Sequence, residues 1–208
     1  MRQTIRLFAI LSAVFLFAAL IGCMGRGPRV PIRFYSFPEG FHTTATTEKA
    51  TSIRLGIGSF ESSGAIGKFI LFRVSPVEVK YNRYERWVEQ PNEIITRAFL
   101  QALDSSGFFS EVTLAEDIAF HQSTHLLRGY VDRFENDRSV SPPCAVLSVR
   151  LELRDIASGR RVWESTVSYR HPIQGRETAD FVRAMEEAIR RVLEKSLSDM
   201  KNGLIKSK

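Results

Sequence analysis

The chain has 208 residues, with 29 lysines and arginines against 23 aspartates and glutamates, and a net charge of +6 at pH 7. Because the basic residues are interspersed with acidic ones and form no long block, the composition argues against a nucleic-acid-binding protein. The only cysteines are Cys23 and Cys144, so no intramolecular disulfide is available if Cys23 is modified. Cys144 is expected to pack as a small apolar residue rather than to act as a nucleophile.

The first 23 residues have the pattern of an exported precursor. Arg2 and Arg6 precede an almost unbroken apolar run, Leu7–Ile21, which is short for a transmembrane helix. The run leads into Leu20-Ile21-Gly22-Cys23, which resembles the bacterial lipobox. That resemblance implies that residues 1–22 are a lipoprotein signal peptide and that Cys23 is diacylated as the first mature residue. The alternative is a plain signal peptide, or an N-terminal anchor, with an incidental cysteine.

A lipidated tether is predicted over residues 23–33, which contain glycine, proline and arginine without usable periodicity. The domain is predicted over residues 34–203, as one unit without internal repeats. Its first part holds short apolar or aromatic runs that are predicted as strands, and a flexible connection before the third of them. These runs are Phe34–Pro38, Ile53–Ile57, Phe69–Val74 and Val77–Val88, and the connection is Glu61–Lys68.

A first amphipathic helix is predicted to begin at Pro91, because proline fits the first turn of a helix and Glu93 complements its dipole. Apolar residues then recur every three or four positions from Ile94 to Leu103 and form one stripe. Gly107 stands where a left-handed C-terminal cap is needed.

Further strands are predicted after this helix. Residues Phe108–Leu114 return into a short strand, and His125–Phe134 carries apolar residues on both faces, which predicts a central strand covered on each side. Over Ala145–Arg154 every second residue is apolar, which predicts a strand with one buried face and one mostly solvent-exposed face. The connection Asp155–Arg160 joins this strand to an antiparallel partner that carries Trp163.

A final helix is predicted from a cap at Thr178, with Asp180 in its first turn, to an end at Asn202-Gly203. Its apolar stripe runs from Phe181 to Leu197. The sum is an α+β fold of the α/β-sandwich kind. It is a single domain with a mixed, largely antiparallel sheet and two long amphipathic helices packed on one face.

The sequence carries no recognisable catalytic motif. His121 and His125 are four apart, but Gln-Ser-Thr separates them and the glutamate of the zinc-protease pattern is missing. The glycine-containing segments Gly56–Gly58 and Gly64–Lys68 lack the spacing of dinucleotide or phosphate loops. We therefore expect a non-catalytic protein, with no metal ligands and no cofactor.

One segment is distinctive. Phe69-Ile70-Leu71-Phe72-Arg73 is followed by the tyrosine-rich run Val79–Glu89, which contains Arg86-Trp87, and then by the first helix. This arrangement resembles the ABC-type transport auxiliary lipoprotein family, whose members carry such a run before such a helix. The segments Leu126–Glu135 and Leu151–Trp163 are also similar to the family pattern.

The resemblance implies a periplasm-facing lipoprotein that works with a lipid-transport ABC system. The implied partners are the membrane, through the N-terminal lipid, a substrate-binding protein of the mammalian-cell-entry (MCE) type, and the ABC permease and ATPase. The cargo would be phospholipids or other apolar molecules. Met24 is not the aspartate that commonly retains lipoproteins in the inner membrane, so the outer membrane is expected. A homo-oligomer is among the assemblies that the resemblance allows.

Arg83, Tyr84, Arg86 and Trp87 are the candidate residues for docking a partner, since arginine, tyrosine and tryptophan dominate interface hot spots. The alternative is that Trp87 fills the end of the helix–sheet core while the arginines are solvated. Two other functions stay open. One is a structural lipoprotein of outer-membrane assembly or secretion, which a membrane-spanning β-hairpin would indicate. The other is a periplasmic enzyme or small-ligand binder, which a deep polar pocket would indicate.

Overall fold

The computed structural model of the protein describes residues 30–37, 40–43, 51–117 and 122–206. The chain divides into residues Met1–Pro31 and a compact unit, Ile32–Lys208, and the strands and helices of the described residues all belong to this second unit. The predicted signal peptide, Cys23 and His121 lie outside the described residues. Within the described ranges, no helix is long and apolar enough to cross a membrane.

The described residues form nine strands and two helices. The strands are β1 (Arg33–Tyr35), β2 (Arg54–Ile57), β3 (Glu61–Ser62), β4 (Phe69–Arg73), β5 (Val79–Trp87), β6 (Glu111–Leu114), β7 (His125–Asp137), β8 (Cys144–Asp155) and β9 (Arg161–Pro172). The helices are α1 (Pro91–Ser105), between β5 and β6, and α2 (Thr178–Lys206), after β9.

Strand β7 organises the sheet. Along one edge it pairs in parallel with β2, then β3, then β4, and along the other it pairs antiparallel with β8 over its length. The sheet continues from β8 to β9 antiparallel, from β2 to β6 in parallel, and from β4 through β5 to β1. The α+β class and the mixed sheet are thus as predicted, with long antiparallel pairings on one side of β7 and short parallel ones on the other.

A single core joins both helices to one face of β7 and β8. The strands contribute alternate side chains, and the helices contribute the apolar stripes that their periodicity predicts. The strand residues of this core include Leu127, Val131, Phe134, Leu147, Val149, Leu151 and Leu153. Gly129 interrupts the series in β7 because a Cβ there would lie 2.2 Å from the ring of the buried Phe60.

Helix α1 follows its sequence signals closely. Pro91 is its first residue, and the Glu93 carboxylate accepts a hydrogen bond from the Gln90 backbone N–H at 2.9 Å. After its end, Gly107 has φ +65°, the left-handed conformation predicted for it. Both ends are fixed by residues adjacent in the chain, which is why local reasoning finds them.

Helix α2 departs from its predicted ends. The Glu177 N–H donates to Asp180 Oδ2 at 2.9 Å, while the Thr178 hydroxyl donates to Glu85 on β5 and does not cap the helix. The helix also continues through Gly203 to Lys206. Gly203 faces Trp163, and a Cβ at this position would lie 2.4 Å from Trp163 Cδ1. The glycine is therefore a contact residue rather than a stop signal.

The second faces of β7 and β8 also differ from expectation. On β7 this face carries charged side chains, including Arg133, Glu135 and Asp137, rather than a second apolar cover. On β8, Val146 is fully buried, although the face to which it belongs is predicted to be mostly solvent-exposed. Val146 has Glu135 as its neighbour on β7 and Arg170 on β9, and such long side chains cover the apolar residue between them.

Candidate functional site

The four residues predicted as a docking surface do not share one surface. Trp87 is 1% exposed and lies in the core, stacked on Phe37 with ring centroids 5.4 Å apart and in edge contact with Phe134 at 5.3 Å. The Trp87 side chain therefore fills the core between helix and sheet, as in the alternative interpretation of this residue. Arg83 and Tyr84 are exposed and Arg86 is half-buried, and their role in docking stays a prediction.

An exposed row of aromatic rings crosses β1, β5 and β4. Phe34 on β1 and Phe69 on β4 are the two cross-strand neighbours of Arg86, so the three side chains share one face. The Arg86 guanidinium carbon lies 4.6 Å from the Phe69 ring centroid, and Tyr81 meets that ring at 6.1 Å. We call this surface the aromatic patch and define it as Phe34, Phe69, Tyr81, Tyr84 and Arg86, where Tyr84 stands two residues before Arg86 on β5 and so shares its face.

The rings of the patch are open to solvent. Phe34 is 60% exposed, Tyr84 47%, Tyr81 45% and Phe69 40%. Phe34, Phe69 and Tyr81 were missed as surface residues because their exposure depends on how β1 and β4 flank β5. The available signal was the alternation in Phe34-Tyr35 and Arg86-Trp87, since one member of each pair must face away from the core.

The charge of the patch depends on the hydrogen bonds of Glu85, the residue before Arg86 on β5. Its carboxylate accepts hydrogen bonds from the Tyr35 hydroxyl at 3.0 Å and from the Thr178 hydroxyl. Burial, together with the bond to Glu85, raises the pKa of Tyr35. Within the described residues Arg86 forms no ion pair, and its Nε is buried without a hydrogen-bond partner, so the patch carries an uncompensated positive charge.

A second feature is an ion-pair network on the charged face of β7. Glu135 and Asp137 are each 2% exposed. Arg73 donates to both oxygens of Glu135 at 2.8 and 3.0 Å, and Arg133 donates to Glu135 and, at 3.0 Å, to Asp137. Arg170 reaches Asp137 at 3.4 Å. Two buried carboxylates are thereby matched by arginines from three strands, as buried charges require.

The network shifts the ionisation of its members. The hydrogen bonds that the Arg73 guanidinium donates to Glu135 raise the pKa of Arg73. Burial by itself would raise the pKa of Asp137, but hydrogen bonds from Ser139 and Arg133 outweigh it, so the pKa lies below its ordinary value. Both shifts favour the charged forms of Arg73 and Asp137.

A shallow groove of about 550 Å³ lies over β7, β8 and β9. Arg150, which lines the groove, forms a forked ion pair with Asp132, and its guanidinium carbon lies 4.5 Å from the Tyr130 ring centroid. Because charged groups dominate its lining, the groove suits a polar partner rather than an apolar cargo. The charged lining residues are Glu61, Arg128, Arg150, Glu152, Arg161 and Glu164.

The remaining titratable candidates form no constellation in the described part of the chain. His125 Nε2 lies 4.0 Å from Asp155 Oδ2, too far for a hydrogen bond, and burial lowers the pKa of the imidazole. Among the described ranges, no group of three or more His, Cys, Asp or Glu could hold a metal ion. Cys144 is a free, half-buried thiol that contacts the Pro142 carbonyl at 3.4 Å.

Comparison with known proteins identifies similar chains. The model of the family described as "ABC-type transport auxiliary lipoprotein component" matches residues 37–195. A crystal structure of a protein from Xanthomonas campestris is 22% identical, with a TM-score of 0.70 over 79% of this chain and 92% of that chain. An uncharacterized protein of solved structure is 11% identical, with a TM-score of 0.61 over 76% and 99%. These structures share the fold, and no curated protein matches the chain.

Proposed function

The chain belongs to the ABC-type transport auxiliary lipoprotein component family, and from this membership we propose that it is a non-catalytic envelope lipoprotein serving an MCE-associated ABC transporter. The cargo of that system is phospholipid or another apolar molecule. The observation that carries the proposal is the family match over residues 37–195. In this scheme the ATPase hydrolyses ATP, the MCE-type protein handles cargo, and this chain supplies a folded domain held at the membrane.

The proposed anchor is the lipid on Cys23. Each buried CH₂ contributes roughly 0.8 kcal/mol, and one acyl chain gives only marginal attachment, so a diacylated cysteine is needed for stable anchoring. Met24 follows Cys23, and with no aspartate there we place the protein in the outer membrane, facing the periplasm. The anchor confines the domain to the bilayer surface.

The charged face of the sheet supports a docking role. The buried carboxylates Glu135 and Asp137 hold Arg73, Arg133 and Arg170 in fixed positions, so a partner meets pre-oriented guanidinium groups. Pre-orientation lowers the ordering cost of binding. The adjacent groove, lined by arginines and glutamates, suits the polar surface of a protein subunit better than a lipid tail.

Affinity purification of the full chain from a cross-linked bacterial envelope tests this function. We expect co-recovery of an MCE-type protein, a permease and an ATPase. Recovery of an outer-membrane assembly or secretion complex instead would contradict the transport proposal and support a structural role in that complex. Recovery of neither class would also contradict it.

The variant Cys23→Ser tests the anchor separately, by membrane fractionation and by the mass of the N-terminus. Without its thiol the chain cannot be acylated, so we expect uncleaved precursor and loss of the mature, membrane-attached form. A normally processed, membrane-attached Cys23→Ser protein would show that another segment anchors the chain.

A further inference from the structure

We propose that the aromatic patch rests on the surface of the anionic lipid bilayer that holds the acylated N-terminus, and so fixes the orientation of the domain. The inference rests on the proposed acylation of Cys23. It adds a second, non-covalent membrane contact made by folded residues.

The exposed rings have the chemistry of a membrane interface. Tyr81 and Tyr84 join an apolar ring to a polar hydroxyl, and such side chains are favoured at the level of the headgroups. The Tyr81 hydroxyl donates to the Ala65 carbonyl at 3.1 Å, so this side chain contributes its ring. Phe34 and Phe69 add purely apolar surface that water hydrates poorly. A cluster of exposed rings on three adjacent strands needs a cover, whereas single exposed apolar residues do not.

The patch also carries positive charge. Arg86 has no ion-pair partner among the described residues, and the nearby carboxylate of Glu85 is engaged by Tyr35 and Thr178. Basic side chains beside apolar rings are attracted to lipid phosphates. The Arg86 guanidinium already lies over the Phe69 ring, so the positive charge is held among the rings of the patch.

The link between Cys23 and the domain is short. Ile32 is nine positions after Cys23, and an extended chain of that length spans at most about 30 Å. Ile32 is itself exposed and immediately precedes β1, the strand that carries Phe34. The point at which the chain enters the domain therefore adjoins the patch, and a short covalent link keeps this surface, rather than a distant one, near the bilayer.

The test uses full-length acylated protein in vesicles that contain brominated phosphatidylglycerol. Phe34→Trp places a reporter in the patch, and Ile156→Trp places a matched reporter at another exposed apolar position, in the β8–β9 connection. A ring buried about 5–10 Å into the headgroup region lies within quenching range of the bromines. We expect the fluorescence that the introduced tryptophan adds to that of the natural protein to fall by about half in Phe34→Trp. The corresponding fluorescence of Ile156→Trp should change little.

Each other outcome decides the question. Equal quenching of both reporters, or of neither, in protein whose N-terminal mass shows acylation would overturn the patch proposal while leaving the lipoprotein function intact. If the Phe34→Trp emission changes only on addition of transporter subunits, the patch is a protein-docking surface, and the bilayer proposal is wrong. An unmodified Cys23 would overturn the anchor itself, a failure that the mass measurement separates from failure of the patch.

A second variant keeps the proposal testable if one substitution perturbs packing. Arg86→Gln removes the positive charge but not the rings. We expect this variant to lose the preference for phosphatidylglycerol over phosphatidylcholine vesicles that the Phe34→Trp reporter records. An unchanged preference would contradict the role assigned to Arg86.

Discussion

Asp137 shows how one side chain ties the stability of the domain to pH. Its carboxylate is buried, yet hydrogen bonds from Ser139 and Arg133 hold its pKa below the ordinary value. A carboxylate whose pKa is lower in the folded than in the unfolded state stabilises the fold above the unfolded pKa, near 3.8. That contribution is lost as the pH falls from there through the lower, folded-state pKa.

Asp137→Asn is therefore expected to lower the free energy of unfolding at pH 7 by about 1–3 kcal/mol, because it removes a charge-assisted acceptor from Arg133. The difference from the natural protein should shrink below pH 3.8, where the natural carboxylate also becomes neutral. Denaturant titrations between pH 7 and 2 measure this. Asp132→Asn breaks the more exposed pair with Arg150 and should cost about 1 kcal/mol or less. Equal losses for the two variants would contradict the network.

Trp87 and Arg83 separate a core role from a surface role within one strand. Trp87→Ala should cost about 3–5 kcal/mol of unfolding free energy, because it opens a cavity beside Phe37 and Phe134. Arg83→Ala should change it by no more than about 0.5 kcal/mol. Thermal and denaturant unfolding of both variants measures this contrast. A stable Trp87→Ala protein that failed to bind a partner would restore Trp87 to the docking surface.

At the scale of elements, a glycine that sequence rules treat as a stop signal is a packing device. By intrinsic helix propensity alone, Gly203→Ala should stabilise the helix by about 1 kcal/mol. However, the Cβ of the new alanine would lie 2.4 Å from Trp163 on β9. We expect a net loss of about 1–3 kcal/mol in the free energy of unfolding as the helix or the ring shifts. Gly64→Ala, with nothing within 4 Å of its added Cβ, is the matched control and should be nearly neutral. A stabilised Gly203→Ala protein would refute the contact.

The ends of the helices show what the sequence can and cannot predict. Helix α1 is found correctly because Pro91 and Gly107 act through their own backbone. Helix α2 is not, because Thr178 bonds to Glu85 and Gly203 packs on Trp163, partners that lie far away in the chain. No periodicity within a helix encodes such contacts.

The candidate site follows the same logic. The tyrosine-rich run of β5 is visible in the sequence, but which residues reach the surface depends on the strands beside it. Parallel pairing with β1 places Phe34 next to Arg86, and antiparallel pairing with β4 places Phe69 on its other side. Trp87 is hidden by Phe181 of α2, among others. Pairing between distant segments, rather than composition, creates the patch.

For the whole molecule, one sheet carries two surfaces of different chemistry. The strands β4, β5 and β1 present rings with positive charge, and β7, β8 and β9 present balanced ion pairs around a polar groove. A surface of the first kind suits a lipid interface, and one of the second kind suits a protein partner. The proposed lipoprotein thus has one contact that orients it and another that it can offer to a transporter.

The length of the tether then becomes a property that can be tested. Cys23 and Ile32 are nine positions apart, and inserting about twenty Gly/Ser residues after Arg29 increases this separation about threefold. The effective concentration of the patch at the bilayer should then fall about sixfold, as the −3/2 power of length. We expect weaker quenching of the Phe34→Trp reporter by brominated lipid, with unfolding free energy and N-terminal mass unchanged. The same insert appended after Lys208 is the control and should leave quenching intact. Unaltered quenching with the long tether would mean that the patch binds the bilayer strongly by itself, and a short link would then be unnecessary for orientation.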